Sequence, residues 1–154
     1  MATKVKPVPD GYNRITPYLC VRDASRAIDF YKRAFRATEL VRMADPSGKV
    51  GHAELSIAGE RIMLADEFPE MGSRSPEALG GSPVTIHLYV DDVDAVARQA
   101  VAAGARVQRP VEDQFYGDRA GKFEDPFGHM WYIATHKEDI TEEEMKRRVA
   151  ALYG

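Results

Sequence analysis

A chain of 154 residues is long enough for one domain, or for two halves sharing a core, and 44% hydrophobic content can build that core without disulfides or a structural metal. The net charge of −3, from 21 basic and 24 acidic residues with no basic cluster, argues against a nucleic-acid surface. Cys20 is the only cysteine, Met1 to Lys6 lacks the apolar core of a secretion signal, and no long apolar run occurs, so the expected location is a reducing cytoplasm with no membrane partner.

Residues 1–11 read as a proline-containing N-terminal arm of low order. A strand with alternating character follows from Ile15 to Val21, and Asp23 then stands where a carboxylate caps a helix. Ala27, Ile28, Tyr31, Ala34 and Phe35 recur at helical spacing and make one apolar stripe. Three strands are expected next, over Thr38–Ala44, Gly51–Ile57 and Glu60–Ala65, separated by turns at Asp45–Gly48 and Ala58–Gly59. The pattern then begins again. A strand over Thr85–Val90 leads to Asp92, and Val93, Val96, Ala97, Ala100 and Val101 form a second stripe that Gly104 stops. Strands over Arg106–Arg109, Gly117–Glu124 and His129–Thr135 complete it, the last two joined by the turn Asp125–Gly128.

The two runs are copies. Sliding the chain by 69 residues puts Leu19 on Leu88, Val21 on Val90, Asp23 on Asp92, Ala34 on Ala103, Gly59 on Gly128 and Ala65 on Ala134. This predicts an α+β fold of two tandem βαβββ modules, residues 12–68 and 82–138, with curved mixed sheets around a cup-shaped cavity. Residues 139–154 form a C-terminal helix. Thr141 and Glu144 make a capping box, and Met145, Val149 and Leu152 share an apolar face that must pack on its own domain or across a dimer.

Pro17 to Val21 with Ala27 to Tyr31, and Glu124 to His129 leading into Trp131 to His136, resemble the opening and closing segments of modules in the glyoxalase, bleomycin-resistance and extradiol-dioxygenase superfamily. More narrowly, Thr85 to Asp92 and Asp113 to Arg119 resemble its PhnB-like branch. The resemblance implies the doubled fold and a homodimer. It also implies a site where metalloenzymes of the superfamily take one ligand from the first and one from the last strand of each module. Those positions here are Thr16, Met63, Thr85 and Tyr132, whose hydroxyls and thioether are poor ligands for hard divalent ions. No cofactor is therefore expected. The alternative is a metal-dependent lyase, isomerase or dioxygenase with a displaced site at His52, Glu54 and His87, two imidazoles and a carboxylate.

Strand alternation carries Tyr18 and Cys20 inward from Thr16, and His87 and Tyr89 from Thr85; Met130, Tyr132 and Ala134 line the closing strand, and Met63 joins them. Phe115, Tyr116 and Phe68 lie in loops at the mouth. A surface of this kind suits metal-free binding, or sequestration, of a small, partly aromatic ligand. Trp131, of opposite parity to Tyr132, belongs to the core. Asp66 and Glu67 are candidates for a rim base, Asp118 and Arg119 read as an exposed loop ion pair, and His129 and His136 read as surface residues.

Overall fold

In the computed structural model, which describes residues 4–154, both strand–helix–three-strand runs are present. The first comprises β1 (Tyr18–Val21), α1 (Ala24–Phe35), β2 (Thr38–Ala44), β3 (Val50–Ile57) and β4 (Glu60–Asp66). A 3-10 turn at Pro69–Met71 and a short helix α2 (Pro76–Leu79), neither foreseen in the sequence, lead on to the second. That run comprises β5 (Thr85–Tyr89), α3 (Val93–Ala103), β6 (Arg106–Asp113), β7 (Asp118–Glu124) and β8 (Met130–His136), and α4 (Glu142–Tyr153) follows it. The chain divides into two compact units, one ending at Gly80 and the other beginning at Gly81.

Each unit is a four-stranded mixed sheet, ordered β1-β4-β3-β2 in the first and β5-β8-β7-β6 in the second. The parallel pairs carry the repeat through to single residues. Leu19 faces Leu64 in β1–β4, and Leu88 faces Ile133 in β5–β8, so both partners are displaced by 69 (88−19 and 133−64). The third strand slips by one: Ala53 faces Leu64 but Gly121 faces Ile133, a displacement of 68 (121−53). The helix starts match as well. Asp23 accepts the N–H of Arg26, and Asp92 that of Ala95. Asp66 Oδ1 accepts the N–H of Ala24, while at the equivalent place Thr135 Oγ1 accepts the N–H of Val93.

One face of each sheet is covered by its helix. In the first unit Val21, Ile28, Phe30, Tyr31, Leu55 and Leu64 are buried between α1 and the sheet. In the second, Phe123, Trp131 and Ile133 are buried on the α3 side, so Trp131 is core, as its parity predicts. Removing such side chains from water stabilises by about 1.5–3 kcal/mol apiece.

The first strand is shorter than expected. It begins at Tyr18 rather than Ile15, because Pro17 has no N–H for the ladder and Ile15 stands in solvent. Thr16 therefore lies before β1, although the Pro17 carbonyl still accepts the Met63 N–H at 3.0 Å. β6 is longer than expected and runs on through Pro110, which an edge strand tolerates, with irregular register on both sides of Arg109. Of the expected N-terminal arm, residues 1–3 lie outside the described residues. Its end is tied down: the Gly11 carbonyl accepts from Arg61 Nε at 3.2 Å.

The α4 helix starts as its capping residues predict, with Thr141 accepting the Glu144 N–H. Glu144 does not complete the box. Its carboxylate is taken by Arg147 and Arg148. The helix buries none of its residues among those described, and Arg148 anchors it through the Phe115 carbonyl and Glu138.

Candidate functional site

The sheet face opposite α1 is organised by a chain of hydrogen bonds. Strand alternation places Tyr18, Met63, Glu54 and His52 on this face, with Tyr18 facing Met63 across β1–β4 and Met63 facing Glu54 across β4–β3. The Tyr18 hydroxyl lies 2.7 Å from His52 Nδ1, and His52 Nε2 lies 2.7 Å from Glu54 Oε2. Arg61 Nη1 donates to Glu54 Oε1 at 2.6 Å, and the Arg61 guanidinium lies 4.0 Å from the Tyr12 ring centroid. Burial would push the Glu54 pKa up, but hydrogen bonds from His52, Tyr12 and Arg61, with the charge of Arg61, overcome it and hold the pKa at about 2. Glu54 is thus a carboxylate at neutral pH. His52 Nε2 must then donate to that carboxylate, which leaves Nδ1 to pair with the Tyr18 hydroxyl. Burial, first, and the negative charge of Glu54 raise the Tyr18 pKa, so the phenol stays protonated. The chain orients Tyr18, which is 53% exposed.

This arrangement does not suit a metal. Both ring nitrogens of His52 are committed, and the Glu54 carboxylate is neutralised by a guanidinium that a divalent cation would have to displace. The positions implied by the resemblance fit no better, since Thr16, Met63, Thr85 and Tyr132 offer no imidazole or carboxylate. Among the described residues no three His, Cys, Asp or Glu side chains are grouped to hold an ion. The displaced set places His52 and Glu54 in the first unit and His87 in the second.

The corresponding face of the second sheet is aromatic. The rings of His87 and Tyr89 are 4.7 Å apart between centroids, and those of His87 and Tyr132 are 5.1 Å apart, nearly edge to face. Read across the strands, one row of the sheet is Arg109, Lys122, Tyr132 and His87. The row on one side holds Glu124, Met130 and Thr85, and that on the other Ala120, Ala134 and Tyr89. Tyr116 reaches in from the loop before β7, its hydroxyl bonded to that of Tyr132, and its ring meets Phe115 edge-on at 5.2 Å. Gly117 makes that loop possible. It has a φ of +98°, and a Cβ there would stand 2.5 Å from the Glu138 carbonyl oxygen.

Burial, then the bond to Tyr132, raises the Tyr116 pKa. The bond to Asp118, reinforced by burial, raises that of Tyr89. Both phenols therefore stay protonated at neutral pH. Tyr89 donates to Asp118 Oδ2 at 2.7 Å, and His136 Nδ1 lies 2.7 Å from Asp118 Oδ1. His136 Nε2 lies 2.8 Å from Asp139, and these two carboxylates raise the imidazole pKa above its ordinary value. A cavity of about 450 Å³ opens here, lined by Tyr89, Val90, Asp91, Thr135 and His136.

Two expectations change, and a third holds with an added role. Asp118 and Arg119 are not an exposed loop pair: they sit on β7 with opposite parity, Asp118 buried and bonded as above, Arg119 clamped by Asp94 and Asp113. His136, read as a surface residue, remains exposed but holds Asp118 on the aromatic face; its parity with Tyr132 and Ala134 was the signal available. Asp66 is not poised as a base. Its second oxygen accepts the Val50 N–H, and Glu67 is held by Arg22 and the Ser75 N–H. Of the expected ligand contacts, Tyr18 and Met63 are neighbours in the first unit. Thr85, His87, Tyr89, Phe115, Tyr116, Met130 and Tyr132 lie on or beside one face of the second.

A profile of the Glyoxalase/Bleomycin resistance protein/Dioxygenase superfamily matches residues 11–133. An uncharacterized protein of Mycobacterium tuberculosis is 44% identical over 154 residues, covering 98% of this chain and 87% of its own. Two solved structures show the same fold at lower identity. The PhnB protein from Bacillus cereus is 18% identical with a TM-score of 0.62, over 80% of this chain and 99% of that one. FosX from Listeria monocytogenes, solved with Mn(II) and sulfate, is 20% identical with a TM-score of 0.62, over 89% of this chain and 97% of that one. With two βαβββ units in register and a profile match across both, the chain belongs to the Glyoxalase/Bleomycin resistance protein/Dioxygenase superfamily.

Proposed function

We propose that this protein binds a small, partly aromatic molecule on the open face of its second sheet, without a metal, and retains it rather than requiring its conversion. The observation that carries this reading is the ring cluster of His87, Tyr89 and Tyr132. The His87 ring touches both the Tyr89 and the Tyr132 ring on an uncovered sheet face, with Tyr89 55% exposed. Core aromatics are normally covered, and open ones beside phenolic donors fit stacking with a few directing hydrogen bonds. FosX holds Mn(II) in the same fold, but the donor chemistry here favours a site that grips through rings and hydroxyls. We further take the protein to act in the cytoplasm as a homodimer; the lone Cys20 and the exposed Val149 and Leu152 of α4 support that reading.

Titration calorimetry with naphthalene- and phenol-based probes tests the proposal. Tyr132→Ala is expected to weaken binding about tenfold, roughly the 1.4 kcal/mol a stacked aromatic contact supplies, and His87→Ala to act in the same direction. Circular dichroism would confirm that both variants fold. Equal binding by wild type and both variants, or no binding of any probe, would sink the proposal.

A further inference from the structure

Lys122 is the cation of the aromatic row. It lies directly across from Tyr132 on β8, half-buried, with His87 one strand further on. Its neighbour on the other side is Arg109 on the edge strand β6. Like charges directly opposite on paired strands repel, and such positions are usually relieved by a nearby carboxylate. Here no such relief is present among the described residues. Glu124 is taken by Arg106 and Gln108, Asp118 by Tyr89 and His136, and Asp113 and Asp94 by Arg119. Glu112, the remaining carboxylate of β6, faces Ala120 and pairs with neither cation. Two unneutralised cations thus stand at one end of a row whose other end is aromatic.

We propose that Lys122, supported by Arg109, is an oxyanion subsite, so that the bound molecule is a flat aromatic carrying a carboxylate or a chemically similar anion. This rests on the aromatic-face reading above and specifies its ligand. The spacing fits. Lys122 and His87 are two strands apart, about 10 Å, which is the reach of a one- or two-ring system with an acidic substituent. The ring stacks on Tyr132 and His87, the anion meets the Lys122 ammonium, and the Tyr116–Tyr132 hydroxyl pair donates beside it. No covalent step is involved.

The test uses two probes of nearly equal shape, 2-naphthoate and 2-naphthamide, titrated into the full-length wild-type protein, Lys122→Met and Lys122→Arg. Wild type is expected to prefer the anion about tenfold, as a partly desolvated charge-assisted contact supplies. Lys122→Met should bring the two affinities together, Lys122→Arg should keep the preference, and added salt should shrink it. Equal affinities in wild type, or a preference that survives Lys122→Met, would overturn the oxyanion subsite while leaving the aromatic face standing. Failure of both probes to bind would overturn both.

Discussion

Glu54→Leu is expected to destabilise the first unit by about 3 kcal/mol, at the lower end of what breaking a buried ion pair costs. Glu54 is 5% exposed and accepts from both Arg61 and His52, so a leucine strands a guanidinium and an imidazole with only partial access to water. The lower end applies because Arg61 keeps its bond to Gly11 and its place over Tyr12. The effect also has a pH signature. The folded-state pKa of Glu54, about 2, lies below its ordinary 4.5, so the unfolded chain binds the proton more readily. Its contribution is fully present above about 4.5 and is lost as pH falls toward 2. Urea titrations of wild type and Glu54→Gln across that interval should converge as the pH drops. A constant gap would show that the carboxylate is not held ionised by its neighbours.

Trp131→Ala is expected to cost about 3–5 kcal/mol, the usual range for deleting a large buried aromatic. Trp131 is 1% exposed and packs on the α3 side of the second sheet, with Nε1 donating to Asp125. For a chain of this size the loss corresponds to a fall in Tm of about 6–20 °C. Tyr132, the next residue along β8, should behave in the opposite way: Tyr132→Ala impairs binding with little change in Tm, because its side chain stands on the open face. Differential scanning calorimetry of the two variants gives the comparison. A similar Tm loss in both would mean that the β8 faces are assigned wrongly.

Strand parity was the most informative feature of the sequence. A period of two put Trp131 inside and Tyr132 outside, and placed Thr85, His87, Tyr89 and Met130 on one face. The 69-residue repeat located both helices and their Asp caps, since capping and strand–helix packing depend on local spacing. Side-chain bonding was much less legible. Whether Glu54 reaches His52 or a metal, and whether Asp118 pairs with Arg119 or with Tyr89 and His136, depends on rotamers and on strands distant in sequence. The Arg109–Lys122 apposition was hidden for a different reason. The irregular register around Arg109 sets which β6 residue meets Lys122, and sequence alternation gives no sign of it.

Ligand binding without a metal is open to a thermal-shift experiment on metal-stripped protein. Protein dialysed against a chelator is challenged with 2-naphthoate, and the rise in Tm is compared before and after adding Mn(II), Zn(II), Ni(II) or Fe(II). The expected result is a ligand-induced rise that is present in the chelator-treated protein and unchanged by any of the ions. A rise that appears only once a metal is restored would contradict the claim and return the site to metal-dependent chemistry.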